Sequence, residues 1–298
     1  MKIVKILNNN IALALDEKGE DIVVIGRGIT FGKKCGDSID EHQVTRVFVQ
    51  SPEDEQRILD FVKQVPAEYI DASMRVVESA KFKLGREFEG NLYFTLADHL
   101  QYTVERARQG LLMQNRLLLE IKLAYGEEFE AGLMATKYLS KLFDVDLPED
   151  EAAFIAMHFV NATLGVSMSE TYAIAEVVKD IYSIIRKWLT STFEEGSLSW
   201  YRLMVHIKFF AQRMVMGSSE LDGLQDEWLF EMTKSRYPHS FECAARIAEF
   251  LKLKYDYSVP NAELAYLAIH IERVNHGMRS SRENDETKRG DVSHGDER

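Results

Sequence analysis

Cysteine is almost absent from this sequence. Cys35 and Cys243 are the only two, without Cys-x-x-Cys spacing, which argues against a disulfide framework and a thiolate metal site. Proline is scarce as well: there are five, and none precedes Pro52. No apolar run approaches the roughly 18 residues that cross a bilayer, and the first twenty residues lack a signal peptide's apolar core and cleavage site. The chain therefore reads as a cytoplasmic protein in a reducing compartment. No Gly-x-Ser-x-Gly elbow frames a hydrolytic nucleophile. What is present is ordinary for a globular protein, with 46% hydrophobic and 28% charged residues. A length of 298 residues suggests two or three domains, because single cores rarely outgrow roughly 250 residues.

The net charge of −12 argues at first against a nucleic-acid binder. Its distribution weakens that objection. Residues 1–52 carry seven basic and seven acidic side chains, so the whole acidic excess lies downstream. Between Ile22 and Gly36 stand three cations, Arg27, Lys33 and Lys34, and no acid. A local positive patch of this kind can contact phosphate on an otherwise acidic protein.

The β-rich runs "IALAL" and "DIVVIG" flank the polar hairpin loop "DEKGE", and "KIVKIL" and "VTRVFVQ" supply two further strands. The first segment is thus expected to be a small antiparallel four-stranded β-sheet over residues 1–52. So small a sheet favours dimerisation. The pattern changes at "SPEDEQ", with residues 53–56 as a linker. From there to residue 277 apolar residues recur at three- and four-residue spacing, the signature of helices. Residues 278–298 are polar and aperiodic and read as a disordered tail.

The helical part is an internal repeat. At an offset of 112, Tyr125 meets Tyr237, Leu139 meets Leu251, Pro148 meets Pro260, Glu151 meets Glu263 and His158 meets His270. At an offset of 107, "YFTLADHLQY" lies over "WYRLMVHIKF" and His99 meets His206. Two copies of one all-α domain follow, residues 57–168 and 169–277. The fold class is therefore multidomain α+β: a small sheet and two duplicated helical bundles.

Four of the eight histidines occupy matching places in apolar helical runs. Shared ancestry alone accounts for four core histidines, so that reading stays open. Metal binding is disfavoured, because no His-x-x-x-His occurs and Asp98 beside His99 is replaced by Val205 in the second copy. Phosphorylation suits the chemistry better. Neutral imidazole is a nucleophile at pH 7, and a phosphoryl group would place about −1.5 to −2 charges beside a packing face. Neither a cofactor nor a metal is called for, and the chain reads as a regulator and not an enzyme.

The first segment has its own chemistry. "LNNNIA" sets three asparagines between strands, and "GRGITFGKK" packs three glycines, Arg27, Phe31 and two lysines into residues 26–34. The dinucleotide fingerprint would need glycine where Phe31 stands and a helix after it. For single-stranded or looped RNA the parts fit: asparagine amides read base edges, Phe31 stacks, Arg27 and the lysines hold phosphates, and Gly26 and Gly28 let the backbone approach. An ordinary polar turn with an exposed arginine remains the alternative.

With "KILNNN", "IGRGITFGKK", "LADHL", "FIAMHFVNA", "YRLMVHIKFFAQR" and "LAIHIERV" in that order, the chain closely resembles the BglG-type transcriptional antiterminators of β-glucoside and sucrose operons. The resemblance covers residues 1 to about 277. It implies an RNA-binding co-antiterminator domain that works as a homodimer, and two phosphotransferase-system regulation domains. It implies binding of a hairpin in nascent leader mRNA that prevents terminator formation, through Lys5, Asn8, Asn10, Gly26, Arg27, Thr30 and Phe31. It places the phosphorylation sites at His99 and His158 in the first regulation domain and at His206 and His270 in the second. The sugar-specific permease (EII) would phosphorylate the first domain and switch the protein off. The phosphocarrier HPr would phosphorylate the second and favour activity. A DNA-binding activator with the same regulation domains is the alternative, and would carry N-terminal helix-turn-helix segments where this chain is strand-rich.

Overall fold

The computed structural model describes residues 1–49, 60–88, 91–189, 197–217 and 227–290, with side chains described as far as residue 276 except in part of the last strand. The expected linker 53–56 lies outside the described residues. The chain forms two compact units, Met1–Met168 and Ser169–Arg298.

The first unit begins with strands β1 (Lys2–Asn8), β2 (Ile11–Leu15) and β3 (Asp21–Ile25), and a short β4 (Arg46–Val49) pairs at the edge of β3. All neighbours are antiparallel, in the order β1-β2-β3-β4. The β2–β3 turn is held by Asp16, whose Oδ1 accepts from the Lys18 and Glu20 amides at 2.8 Å each. Those bonds favour the ionised carboxylate and lower its pKa. Strand alternation sends Ile11, Leu13, Val23 and Ile25 to one face and Ala12, Ala14, Ile22 and Val24 to the other. The second face is covered by Ile3, Ile29 and Ile39. The first belongs to the same buried cluster as Val65, Tyr69 and Ile70 of the helical part. The sheet thus has a small core of its own on one face and shares a larger one with the helices through the other.

The helices of this unit are α1 (Ala67–Leu84), α2 (Leu92–Arg108), α3 (Leu118–Ala124), α4 (Gly126–Phe143) and α5 (Glu149–Leu164). Leu92, Leu96, Leu100 and Val104 form the buried stripe of α2 at helical spacing, and His99 borders it. In α5 almost every side is buried, leaving Phe154, His158 and Asn161 as a half-buried strip. His158 therefore lies beside the packed face of its helix, on this half-buried strip.

The second unit holds α6 (Met168–Trp188), α7 (Leu198–Met216), α8 (Glu227–Arg236), α9 (Pro238–Tyr255) and α10 (Asn261–Gly290). The repeat governs element boundaries: α9 starts and stops where α4 does at the sequence offset, and α10 starts where α5 does. Even the stop signals match. Asp144 and Asp256, each closing its helix, both adopt left-handed backbone at φ 52°, a conformation tolerated by Asp better than by bulkier residues. α10 departs from the expected disordered tail, since it continues helically to Gly290. Residues 291–298 lie outside the described residues. Among the described residues, no single helix is long and apolar enough to cross a membrane.

Candidate functional site

In each unit the repeat brings its two histidines together. α2 packs on α5 and α7 on α10. The His99 and His158 rings lie 5.0 Å apart by centroid, and those of His206 and His270 4.8 Å apart. Phe154 flanks the first pair and Tyr266, its repeat counterpart, the second.

Each pair is attached to a buried carboxylate in the first turn of the helix that bears its second histidine, where the helix dipole favours an anion. His99 Nε2 is 3.3 Å from Glu151 Oε2, and His206 Nε2 is 3.5 Å from Glu263 Oε2. Both glutamates are 3% exposed, so each needs partners to stay ionised. An arginine seven residues, two helical turns, beyond His99 and beyond His206 supplies a counter-charge. Arg106 Nη2 lies 3.5 Å from Glu151 Oε1 and donates to Thr103 Oγ1 at 3.2 Å, while Thr103 donates to Glu151 Oε2 at 3.1 Å. Arg213 donates to Glu263 Oε1 from Nε at 3.0 Å and also from Nη2. These arginines, with the roles of Glu151, Glu263 and Thr103, escaped sequence reasoning that followed histidines alone. The signal was available: Arg106 and Arg213 share the offset of His99 and His206.

Burial and the neighbouring His99 hold the His158 imidazole down to about 3. Burial, with His270 and Arg213 nearby, holds His206 down to about 4. Burial, Arg273 and Arg202 lower His270. At neutral pH these rings are uncharged and keep a nucleophilic lone pair. The Nδ1 atoms of His158, His206 and His270 are buried without a hydrogen-bond partner. Among the described residues, no group of three or more His, Cys, Asp or Glu side chains is arranged to hold a metal ion.

The N-terminal candidates divide into two groups. Asn8, Asn10, Gly26 and Thr30 fasten two loops to each other. Asn10 Oδ1 accepts from the Gly28 amide at 2.6 Å, Asn8 Oδ1 from the Asn10 amide at 2.8 Å, and the Asn8 carbonyl from Thr30 Oγ1 at 2.7 Å. Asn10 and Thr30 are each only 4% exposed. Gly26 is required sterically, because a Cβ there would overlap the Gln43 carbonyl oxygen and the Ile29 side chain. Gly28 adopts φ +66°, the left-handed region that places its amide on Asn10. The fastened loop presents Arg27 exposed and Phe31 at 77% exposure, while Asn8 Nδ2 has no partner. Lys5 is exposed on β1, and among the described residues no hydrogen bond ties it to that loop.

Comparison with known proteins places this architecture. A family model of the CAT RNA binding domain matches residues 1–57, and one of the PRD domain matches residues 74–162 and 179–274. The chain belongs to the family of transcription antiterminators built from a CAT RNA-binding domain and PRD domains. It is 39% identical to the beta-glucoside operon antiterminator of Dickeya chrysanthemi over 275 residues, 92% of this chain and 96% of the relative. It is 37% identical to transcription antiterminator LicT of Bacillus subtilis over 275 residues, 92% of this chain and 99% of that one. The crystal structure of GlcT CAT-PRDI is similar at a TM-score of 0.50 and 28% identity, covering 54% of this chain and 96% of that one.

Proposed function

We propose that this protein binds a hairpin in nascent leader mRNA and prevents the terminator from forming, under control of histidine phosphorylation. The observation that carries this reading is the cluster of two histidines, a buried glutamate and an arginine, built twice in a chain headed by a loop that exposes Arg27 and Phe31. The working units are residues 1–52 for RNA and residues 57–168 and 169–277 for regulation. In the first, Arg27 holds phosphate, Phe31 stacks on an unpaired base, and Lys5 and Asn8 add contacts. Asn10, Gly26 and Thr30 hold that surface in shape, a positioning role that replaces direct base reading for Asn10. Active protein is a homodimer in the cytoplasm, where the transcript emerges.

His99, His158, His206 and His270 are the phosphoryl acceptors. A neutral ring nitrogen attacks the phosphorus of a phosphorylated donor, forming its own N–P bond as the donor's bond to phosphorus breaks. The proton displaced from the accepting imidazole ends on the donor's leaving group; Glu151 beside His99 and Glu263 beside His206 stand where they can hold it in passage. The permease (EII) serves the first regulation domain and HPr the second.

Two measurements test this. The protein should retard a short leader hairpin in a gel and ignore duplex DNA of similar length; DNA binding without hairpin binding overturns the reading. Arg27→Ala and Phe31→Ala should each weaken hairpin binding by a hundredfold or more while melting temperature stays unchanged. Unaltered affinity removes the loop from the RNA surface. Purified HPr and permease components should then label the chain, with label lost on histidine substitution.

A further inference from the structure

The second repeat has a pocket of about 400 Å³ lined by Arg202, His206, Phe209, Arg213 and His270 among others. Arg273 stands one turn beyond His270 on α10, close enough that its charge and that of Arg202 depress the His270 imidazole. Arg213 is committed to Glu263. Arg202 and Arg273 have no ion pair among the described residues, and both are exposed. Two unpaired guanidiniums beside one pocket, in a chain of net charge −12, leave a local positive potential that a dianion would neutralise.

The first repeat has none of this at corresponding places. Thr95 stands where Arg202 does, Asn161 where Arg273 does, and Asp98 where the pocket-lining Val205 does. Its one shared arginine, Arg106, is occupied by Thr103 and Glu151.

We propose that the second-repeat pocket is a receptor for a tetrahedral phosphate dianion, gripped by Arg202 and Arg273 beside His206 and His270, and that the first repeat lacks this receptor. This deepens the phosphorylation reading and rests on it for its biological meaning. A phosphoryl group carries about −1.5 to −2 charges. On His206 or His270 that charge is received by guanidiniums already in place, and forked N–H groups match phosphate oxygens. On His99 or His158, Thr95 and Asn161 supply no such charge and Asp98, next to His99 in sequence, adds a negative one, so the charge must be relieved by rearrangement. The opposite consequences proposed for the two domains, stabilisation in the second and disruption in the first, then follow from three substitutions between the copies.

The test uses the full chain, without any phosphoryl donor, and inorganic phosphate as the probe. Imidazole resonances of His206 and His270 should shift with saturation in the millimolar range, while those of His99 and His158 stay still. Arg202→Gln combined with Arg273→Gln should weaken that binding at least tenfold, and lysine at both positions should restore most of it. Both side chains are exposed, so an unchanged melting temperature is expected. Equal shifts in both histidine pairs, or binding indifferent to the double glutamine variant, overturn the receptor. Phosphate binding is read without phosphotransfer. Loss of labelling by HPr with phosphate binding intact therefore sinks the phosphorylation reading alone, and labelling with no phosphate binding sinks the receptor alone.

Discussion

In the first repeat a threonine stands between arginine and glutamate; in the second, Phe210 fills that position and the arginine reaches the carboxylate directly. Thr103 lets Glu151 share its negative charge among a hydroxyl, a guanidinium and an imidazole. Without that hydroxyl, Glu263 puts one oxygen on Arg213 and leaves Oε2 with no hydrogen bond, 3.5 Å from His206. The same four-residue frame thus exists as a distributed network in one unit and as a tight ion pair in the other. A distributed network tolerates loss of a member, whereas a buried pair stripped of one partner leaves a bare charge.

The largest effect that separates the two is removal of the carboxylate. Glu263→Ala leaves Arg213 unpaired in its 23%-exposed place and should cost about 3 to 5 kcal/mol in urea unfolding. Glu151→Ala should cost less, because Arg106 keeps its hydrogen bond to Thr103. Equal losses would erase the distinction between pair and network.

Acidification should distinguish the repeats next. In the unfolded chain each imidazole takes up a proton near pH 6.5. In the folded protein His158 waits until about pH 3 and His206 until about pH 4, with His270 also lowered. The unfolded state therefore binds more protons below pH 6.5. Stability is complete above that value and falls as pH drops, by at most about 1.4 kcal/mol per pH unit for each such group. Melting followed from pH 7 to pH 5, above most carboxylate titration, reads this slope. His206→Gln with His270→Gln should flatten it more than His158→Gln does, since two lowered imidazoles are removed rather than one. A melting temperature constant over that range would mean that the folded rings protonate as freely as unfolded ones.

Much of this was legible in sequence because the repeat is regular. Two constant offsets pair His99 with His206 and His158 with His270, and the helices obey the same offsets down to the left-handed aspartates that end α4 and α9. Ring proximity was not legible, since the two histidines of a unit are some 60 residues apart and meet only through α2 on α5. The carboxylates were visible as matched residues yet gave no hint of facing histidine, because a Glu after Pro148 or Pro260 reads first as a helix-start acid. Asn10 has a role that its sequence context did not show. An asparagine in a polar loop suggests base reading, but its carboxamide oxygen is used by the Gly28 amide, a partner 18 residues away. The polar stretch after Arg279 was read by its missing apolar period, whereas α10 runs on to Gly290.

The smallest effect tests the threonine itself. Thr103→Val keeps the shape of the side chain and deletes the hydroxyl that donates to Glu151 and accepts from Arg106. Those two hydrogen bonds and the 3.4 Å contact with His99 Nε2 are lost, yet Arg106 already lies 3.5 Å from Glu151 and can close on it, as Arg213 does on Glu263. The net cost should therefore be about 1 kcal/mol, well below the sum for two buried bonds to charged groups. The first site would then have adopted the second's direct ion pair. A loss of about 3 kcal/mol or more would show that Arg106 cannot make that move and that the two repeats are held apart by more than one hydroxyl. Double-mutant cycles pairing Thr103→Val with Arg106→Gln should give a coupling near zero if the arginine re-pairs, and about 1 kcal/mol or more if the threonine is its obligatory bridge.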